Sequence, residues 1–378
     1  MKRWGVAMLV CLLCWAGCFA KPAWAEQAVA FYTFSAEEVP PALLTTAMQV
    51  HTQNVSMLLT FGGDCTLGGE PSGVNGAKGF GGVVRKHGLS YPFSGLESLF
   101  ATDDVTVVNL EGVLSDNRKD PAPGKTFHFI GETRYAAILS LGSVECVNLA
   151  NNHVMDFGRR GYKDTLRALN AEQVAYFGEE MVTVAEKNGM RVGFTGSTAN
   201  LSERRREALA RQMEVLRSVG CQWIVHTIHG GVEYDAQPSA RQRAAAAFAV
   251  ENGADLVVGH HPHVVQGMEL LQGVPVLYSL GNCCFGGNLR PRDMDACILR
   301  AELSFKEGEL QSMGLTLWPI RISGDKGSNN YQPVLAAGKD ARRVMDKLQK
   351  SSGVELKPYV EGQGALQPMI RYEGRRER

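Results

Sequence analysis

The chain has 378 residues, 44% of them hydrophobic, and its 39 Lys and Arg are balanced by 39 Asp and Glu. That length and apolar content allow a sizeable core in one large α/β domain with appendages. The even charge balance provides no broad basic face, which argues against nucleic acid as the main partner.

Residues 1–25 read as an export signal. Lys2 and Arg3 form a positive start, residues 6–16 are an apolar core, and Ala23-Trp24-Ala25 is a small-x-small cleavage site. The apolar core is too short for a permanent span. The expected location is therefore the periplasm or cell envelope. Ala16 and Gly17 before Cys18 leave lipid anchoring at Cys18 as an alternative, although Trp15 stands where such a site would carry Leu. Cleavage removes Cys11, Cys14 and Cys18 and leaves six cysteines, at 65, 146, 221, 283, 284 and 297, with no CxxC pair. Cys146 and Cys221 read as small buried hydrophobes at strand positions. A disulfide involving Cys283 or Cys284 stays open.

Residues 26–55 read as a polar lead-in marked by Pro40 and Pro41, and residues 56–352 as the main domain. Strands are expected at 57–61, 105–108 and 144–150, with a Gly-rich loop over 68–82. A helix over 161–174 places Leu166 and Leu169 on one face. A strand at 191–195, a charged helix at 202–219, a strand at 222–228 and an Ala-rich helix at 239–252 follow. Gly253 suits the left-handed turn past that last helix. After a strand at 255–259, helices give way to strands at 264–271, 274–280, 297–305 and 310–319. A helix at 339–349 closes the domain, and residues 353–378 read as a peripheral tail. The expected fold class is α/β, with two packed mixed β-sheets flanked by helices.

Five of the strand ends carry polar blocks: Asp64, then Asn109 with Glu111, then Asn151, Asn152 and His153, then His229 with Glu233 and Tyr234, and finally His260, His261 and His263. Ligands in open α/β sheets collect beyond the carboxyl ends of strands, so the blocks suggest one shared pocket. Each block alone has a plainer reading: Asp64 a turn, Asn151 and Asn152 a helix cap, His229 a satisfied strand-end histidine. Three histidines in four residues are harder to explain by packing. A divalent metal pair that hydrolyses an ester needs several hard ligands, a bridging carboxylate and a proton donor. Asp64 and Glu111 offer carboxylates, Asn152 an amide oxygen, and His229, His261 and His263 imidazoles. His153, beside Asn152, suits the donor. His260 is expected to point away or to support its neighbours from behind. His226 should face the opposite side of its strand. His51, His87 and His128 receive no role.

The blocks also resemble the bacterial capsule-synthesis CapA family, of the poly-γ-glutamate synthesis type, itself similar to the metal-dependent phosphoesterase superfamily. The resemblance runs over residues 57–348. It rests on the residues around Gly63-Asp64, Asn109 to Gly112, Leu149 to Gly158, His229 to Tyr234 with Pro238 and Gln242, Val258 to Gln266, and Tyr278 to Asn282. It implies a two-sheet sandwich with two divalent ions (Mn, Fe or Zn). Asp64, Glu111 and His263 would hold one, and Glu111, Asn152, His229 and His261 the other, with His153 as the acid. Asn109, Asn151, Glu233, Tyr234 and Asn282 are the expected substrate contacts. Three departures stand out: Thr66 where the superfamily has a histidine, Gly230 where an aromatic residue is common, and Cys283 and Cys284 after Asn282. The expected activity is hydrolysis of a phosphoester or amide bond in an anionic surface polymer or its precursor, beside membrane-bound synthesis machinery. Two alternatives remain, a non-catalytic assembly or export factor binding a polymer end, and a periplasmic nucleotide phosphodiesterase.

Overall fold

The computed structural model describes residues 29–45 and 54–371. The export signal, its cleavage site, Cys18, His51 and the last seven residues of the tail lie outside the described residues.

Two large sheets pack face to face. The first has seven strands in the order Ala30–Ser35, Met181–Lys187, Met190–Thr198, Trp223–His229, Leu256–His260, Val274–Leu280 and Val265–Leu271. Its centre is parallel, from Met190–Thr198 through Val274–Leu280, and its outer pairings are antiparallel. The second sheet runs Val334–Leu335, Glu309–Arg321, Asp295–Lys306, Val55–Thr66, Val105–Leu110, Cys146–Asn148 and Ala175–Phe177. Its last four strands are parallel, and Asn282–Phe285 adds to Val55–Thr66 in the same direction. The expected class of two mixed sheets flanked by helices is the observed architecture.

The alternation of side chains along each strand explains the layering. Met57, Leu59 and Phe61 of the second sheet meet Phe194, Trp223, Val225, Leu256 and Val258 of the first in a common core. The opposite strand faces meet helices. Ile224, Ile228 and Val257 pack on Glu203–Ser218 and Ala240–Glu251 through Leu209, Met213, Leu216, Ala245 and Ala249. Val108, Leu110 and Val147 pack on Phe80–His87 and Gly158–Ala171 through Phe80, Val84 and Leu169. The helix Gly338–Ser351 closes one side of the common core with Val344, Met345 and Leu348.

Ser239 caps the Ala-rich helix in a reciprocal capping box with Gln242, and Gly253 beyond it has φ 101°, the backbone expected of it. Other boundaries differ. The helix expected from 161 begins at Gly158 and ends at Ala171. The strand expected over 144–150 pairs only at Cys146–Asn148, because the Asn148 side chain then takes the Ala150 amide and turns the chain. The lead-in is more than irregular chain, since Ala30–Ser35 pairs with Met181–Lys187 at the sheet edge. The expected Gly-rich loop gives way to a helix at Phe80. In the tail, Ala365–Leu366 and Ile370–Arg371 add short pairings to Glu309–Arg321.

The six cysteines among the described residues are all buried and unbonded to one another. Burial pushes the Cys146 thiol well up and that of Cys221 to about 12, as for packed apolar side chains. His226 faces the helix layer, its ring nitrogen 3.0 Å from the Ser197 hydroxyl, and burial holds its pKa down to about 3.

A candidate metal centre at the strand ends

The parallel strands of both sheets end on the same side. Val55–Thr66, Val105–Leu110 and Cys146–Asn148 bring Asp64, Glu111 and the Asn151 to His153 turn from one sheet. Trp223–His229 and Leu256–His260 bring His229, His260, His261 and His263 from the other. Close approach at this seam depends on glycine. A Cβ on Gly63 would lie 1.9 Å from the Gly281 carbonyl oxygen, so a side chain there would push Asp64 and Asn282 apart.

Two sets of ligand atoms each gather within 4.8 Å: Asp64, Glu111 and His263, and Glu111, His229 and His261. Glu111 is common to both. Its side chain is fully buried, and neither carboxylate oxygen has a hydrogen-bond partner. Oε1 faces His229 Nε2 at 3.5 Å and His153 Nε2 at 3.9 Å. Burial drives the Glu111 carboxyl far above its ordinary range, and repulsion from Asp64, Glu233 and Asp156 adds to the shift. A buried acceptor with no donor is costly and rare in native proteins. A cation beside it removes that cost, so the donor set fits a divalent metal ion.

For two of the imidazoles, His229 and His261, the surroundings favour the neutral form that a metal ligand needs. Burial lowers His229 well below its usual value, and the neighbouring histidines lower it further. His261 is lowered for the same two reasons, burial first and then His263. The frame is tightly specified. The Asn109 amide nitrogen donates to Asp64 Oδ1 at 2.7 Å and lies 3.1 Å from His229 Nδ1. The His261 backbone N–H donates to Asp64 Oδ2 at 3.0 Å, and Asn282 Oδ1 sits 2.8 Å from His263 Nδ1. Asn152 is exposed at the rim with Oδ1 2.7 Å from His229 Nε2. His261 and His263 take positive φ values of 98° and 57°. Non-glycine residues hold such backbone only when the surroundings over-determine it, which is common at functional sites.

His153 stands beside this set. Its Nδ1 is 2.6 Å from Asp156 Oδ2, its backbone N–H is fixed by Asn151 Oδ1, and its ring leans on Phe129 at 4.3 Å. Burial alone would raise Asp156, but hydrogen bonds from His153 and Lys125 hold it below the usual carboxylate value. Lys125 also donates to the Asn152 carbonyl at 2.5 Å. Sequence reasoning passed over Asp156, Lys125 and Phe129. Only Asp156 left a signal, three residues after His153 in the same block.

The other expected contacts fall into two groups. Asn109, Asn151 and Asn282 are buried, and their side chains engage neighbours: Asn109 Oδ1 accepts from Asn148 and Asn151, and Asn151 also donates to the Leu110 carbonyl. Glu233 is exposed and Tyr234 half-buried at the mouth. His260 points inward, Nδ1 3.6 Å from Asp64 Oδ1, because it shares the inner strand face with Leu256 and Val258. The Thr66 hydroxyl donates to the Glu111 carbonyl at 2.9 Å, supporting that residue's backbone. Ala199 fills the space beside Gly230, where a Cβ would meet the Ala199 methyl at 2.4 Å. Aromatic walls come instead from Phe129 and from Phe285, whose ring is 5.0 Å from that of His263.

Fold and site together define an α/β sandwich whose strand-end carboxylates and imidazoles suit divalent metal ions. Residues 58–287 match the model of the bacterial capsule synthesis protein family PGA_cap. The chain belongs to that family. It is 28% identical over 260 residues to the capsule biosynthesis protein CapA of Bacillus anthracis, covering 62% of this chain and 61% of that one. It is also 28% identical over 232 residues to the PGA biosynthesis protein CapA of Bacillus subtilis, covering 56% and 61%. The chain thus spans about six-tenths of the length of these curated relatives.

Proposed function

We propose that this chain is an exported metal-dependent hydrolase serving the synthesis of a capsule or poly-γ-glutamate-like surface polymer, and that it cleaves an amide bond or phosphoester in that polymer. The shared Glu111 carboxylate carries the reading, because it belongs to both ligand sets and neither of its buried oxygens meets a donor. In this proposal Asp64, Glu111 and His263 hold one ion, and Glu111, Asn152, His229 and His261 the other. Such ions would polarise the scissile carbonyl or phosphoryl group and make water a competent nucleophile at neutral pH. His153 does the remaining work. With Nδ1–H donated to Asp156, Nε2 faces the centre and gives its proton to the nitrogen or oxygen that leaves as the bond breaks. Phe129 and Phe285 shield this transfer from bulk water. The names of the two relatives supply the polymer context. Export is read from residues 1–25, and no helix among the described residues is long and apolar enough to cross a membrane.

One observation favours a rival, a non-catalytic factor that binds a polymer end. Thr66 is engaged by the Glu111 backbone, which leaves the Asp64 set with three side chains. The deciding experiment incubates metal-loaded protein with γ-linked glutamyl chains and with aryl phosphodiesters. Cleavage that disappears in His153→Ala, with bound metal retained, is expected. No cleavage with Mn, Fe or Zn, together with capsule complementation by His153→Ala, would establish the binding factor instead.

A further inference from the structure

The mouth of the centre carries two opposite charges that do not neutralise each other. The chain after His229 turns out through Glu233 and Tyr234, and the Tyr234 N–H is tied to the Pro262 carbonyl at 2.8 Å. This places the Tyr234 ring 6.2 Å from that of His263, with the backbone at φ 62°. Gln266 steadies the same turn by donating to the carbonyls of Asp235 and Gln237, and is itself held by Gln242. The guanidinium of Arg292 lies over the Tyr234 ring at 4.9 Å. Its loop leaves Phe285 and is pinned by the Gly286 N–H on the Thr66 carbonyl and the Asn329 N–H on that of Leu289.

Arg292 and Glu233 are both exposed. Among the described residues neither has an ion-pair partner within 4.0 Å or a side-chain hydrogen bond. They are not paired with each other, although both act on Tyr234. Burial raises the Tyr234 phenol, Glu233 raises it further, and Arg292 opposes them. Glu233 precedes Tyr234 in the turn that leaves His229, and its negative charge also acts on Glu111 and His261. A surface arginine stacked on a tyrosine is ordinary. A free cation and a free anion flanking one propped ring at the mouth of a buried site are not. Their complement is a ligand that carries both an ammonium and a carboxylate. Guanidinium suits carboxylate oxygens and a carboxylate suits an ammonium.

We propose that Glu233 and Arg292, set apart by Tyr234, recognise the amino-acid-like end of the substrate: the free ammonium and α-carboxylate of a terminal γ-linked glutamyl residue. This rests on the hydrolase reading for its polymer and specifies where on the polymer the centre acts, at or next to the amino end. Both side chains are specificity-determining, and neither is placed to move a proton at the scissile bond.

The test is a binding measurement in the metal-loaded His153→Ala protein, so that turnover does not consume the probe. The probes are γ-linked triglutamate, its N-acetyl form, and a form whose terminal α-carboxylate is an amide. With Glu233 and Arg292 intact, each block should weaken binding about tenfold, the usual scale for one exposed charge-assisted contact. With Glu233→Gln added, acetylation should no longer matter while amidation still does. With Arg292→Met added, the reverse should hold, as paired substitutions require when each reports one contact. Tyr234→Phe should keep the pattern, since the ring persists. Indifference of the parent protein to either block, penalties that survive in the matching variant, or no binding of triglutamate at millimolar concentration would each overturn the proposal. If wild-type protein cleaves nothing yet this pattern appears, the hydrolase reading fails and the recognition stands.

Discussion

Glu111→Gln separates what the shared carboxylate does for function from what it does to stability. In the metal-free protein this side chain is fully buried, has no donor on either oxygen, and is repelled by Asp64, Glu233 and Asp156. The group can escape ionisation only by taking up a proton. For a carboxyl of ordinary pKa 4.5, doing so at pH 7 costs about 1.4 kcal/mol per pH unit, roughly 3 kcal/mol in all. Glutamine keeps the shape and removes that cost, but its buried amide is incompletely paired and forfeits about 1 kcal/mol. The expected net effect is a gain of about 2 kcal/mol in the metal-free protein, read as a raised urea midpoint at pH 7 in the presence of chelator. Added Mn²⁺ should reverse the order. Wild type gains about 2.7 kcal/mol at a hundredfold excess over its Kd, and the variant gains little. A metal-free variant less stable than wild type, or equal stabilisation of both by Mn²⁺, would contradict a destabilising, metal-binding role for the Glu111 carboxylate.

His153→Ala should keep bound metal while kcat falls roughly 10²- to 10⁴-fold, the usual worth of one general acid. Asp156→Asn should lower kcat less, since it loosens the ring without deleting it, and steady-state kinetics with metal analysis checks both. Gly63→Ala should cost about 3 kcal/mol by overpacking, seen as a lower urea midpoint, because its Cβ would meet the Gly281 oxygen at 1.9 Å. Asp295→Asn should cost about 1–2 kcal/mol at pH 7, since it breaks the paired contacts to Arg343 at 2.8 and 2.6 Å and the one to Lys347 at 2.7 Å. Burial would raise Asp295, but Arg343 and Lys347 hold it below its ordinary 3.8. A depressed carboxylate stabilises the fold above its unfolded pKa and loses that contribution as pH falls through the folded value. The gap between wild type and Asp295→Asn should therefore close in acid, which urea titrations from pH 7 to about 3 would show.

Most of the strand-end blocks were legible because each polar residue follows an apolar run, and parallel strands bring such ends together whatever their spacing in the chain. Asp64 and His263 are far apart in sequence and 3.5 Å apart in space. The supports were harder to read. Lys125 and Phe129 come from a long loop with no periodicity, and nothing local marks either as a partner of Asp156 or His153. The inward turn of His260 follows from strict strand alternation, but a run of histidines in a turn conceals where the strand stops. Ala30–Ser35 escaped notice because its buried positions, Phe31 and Phe34, lie three apart and not two, on an edge strand with one neighbour. The mouth residues divide in the same way. Tyr234 lies in the block after His229, whereas Arg292 reaches the mouth on a loop whose sequence is only Gly- and Pro-marked.

One carboxylate shared by two ions is the core of the proposed function, and anomalous diffraction from crystals soaked in Mn²⁺ sees such sharing directly. Two peaks should appear on either side of the Glu111 side chain, one against Asp64 and His263 and the other against His229 and His261. A crystal that diffracts well and shows no manganese beside Glu111, or a single ion that leaves one of the two sets untouched, would contradict it.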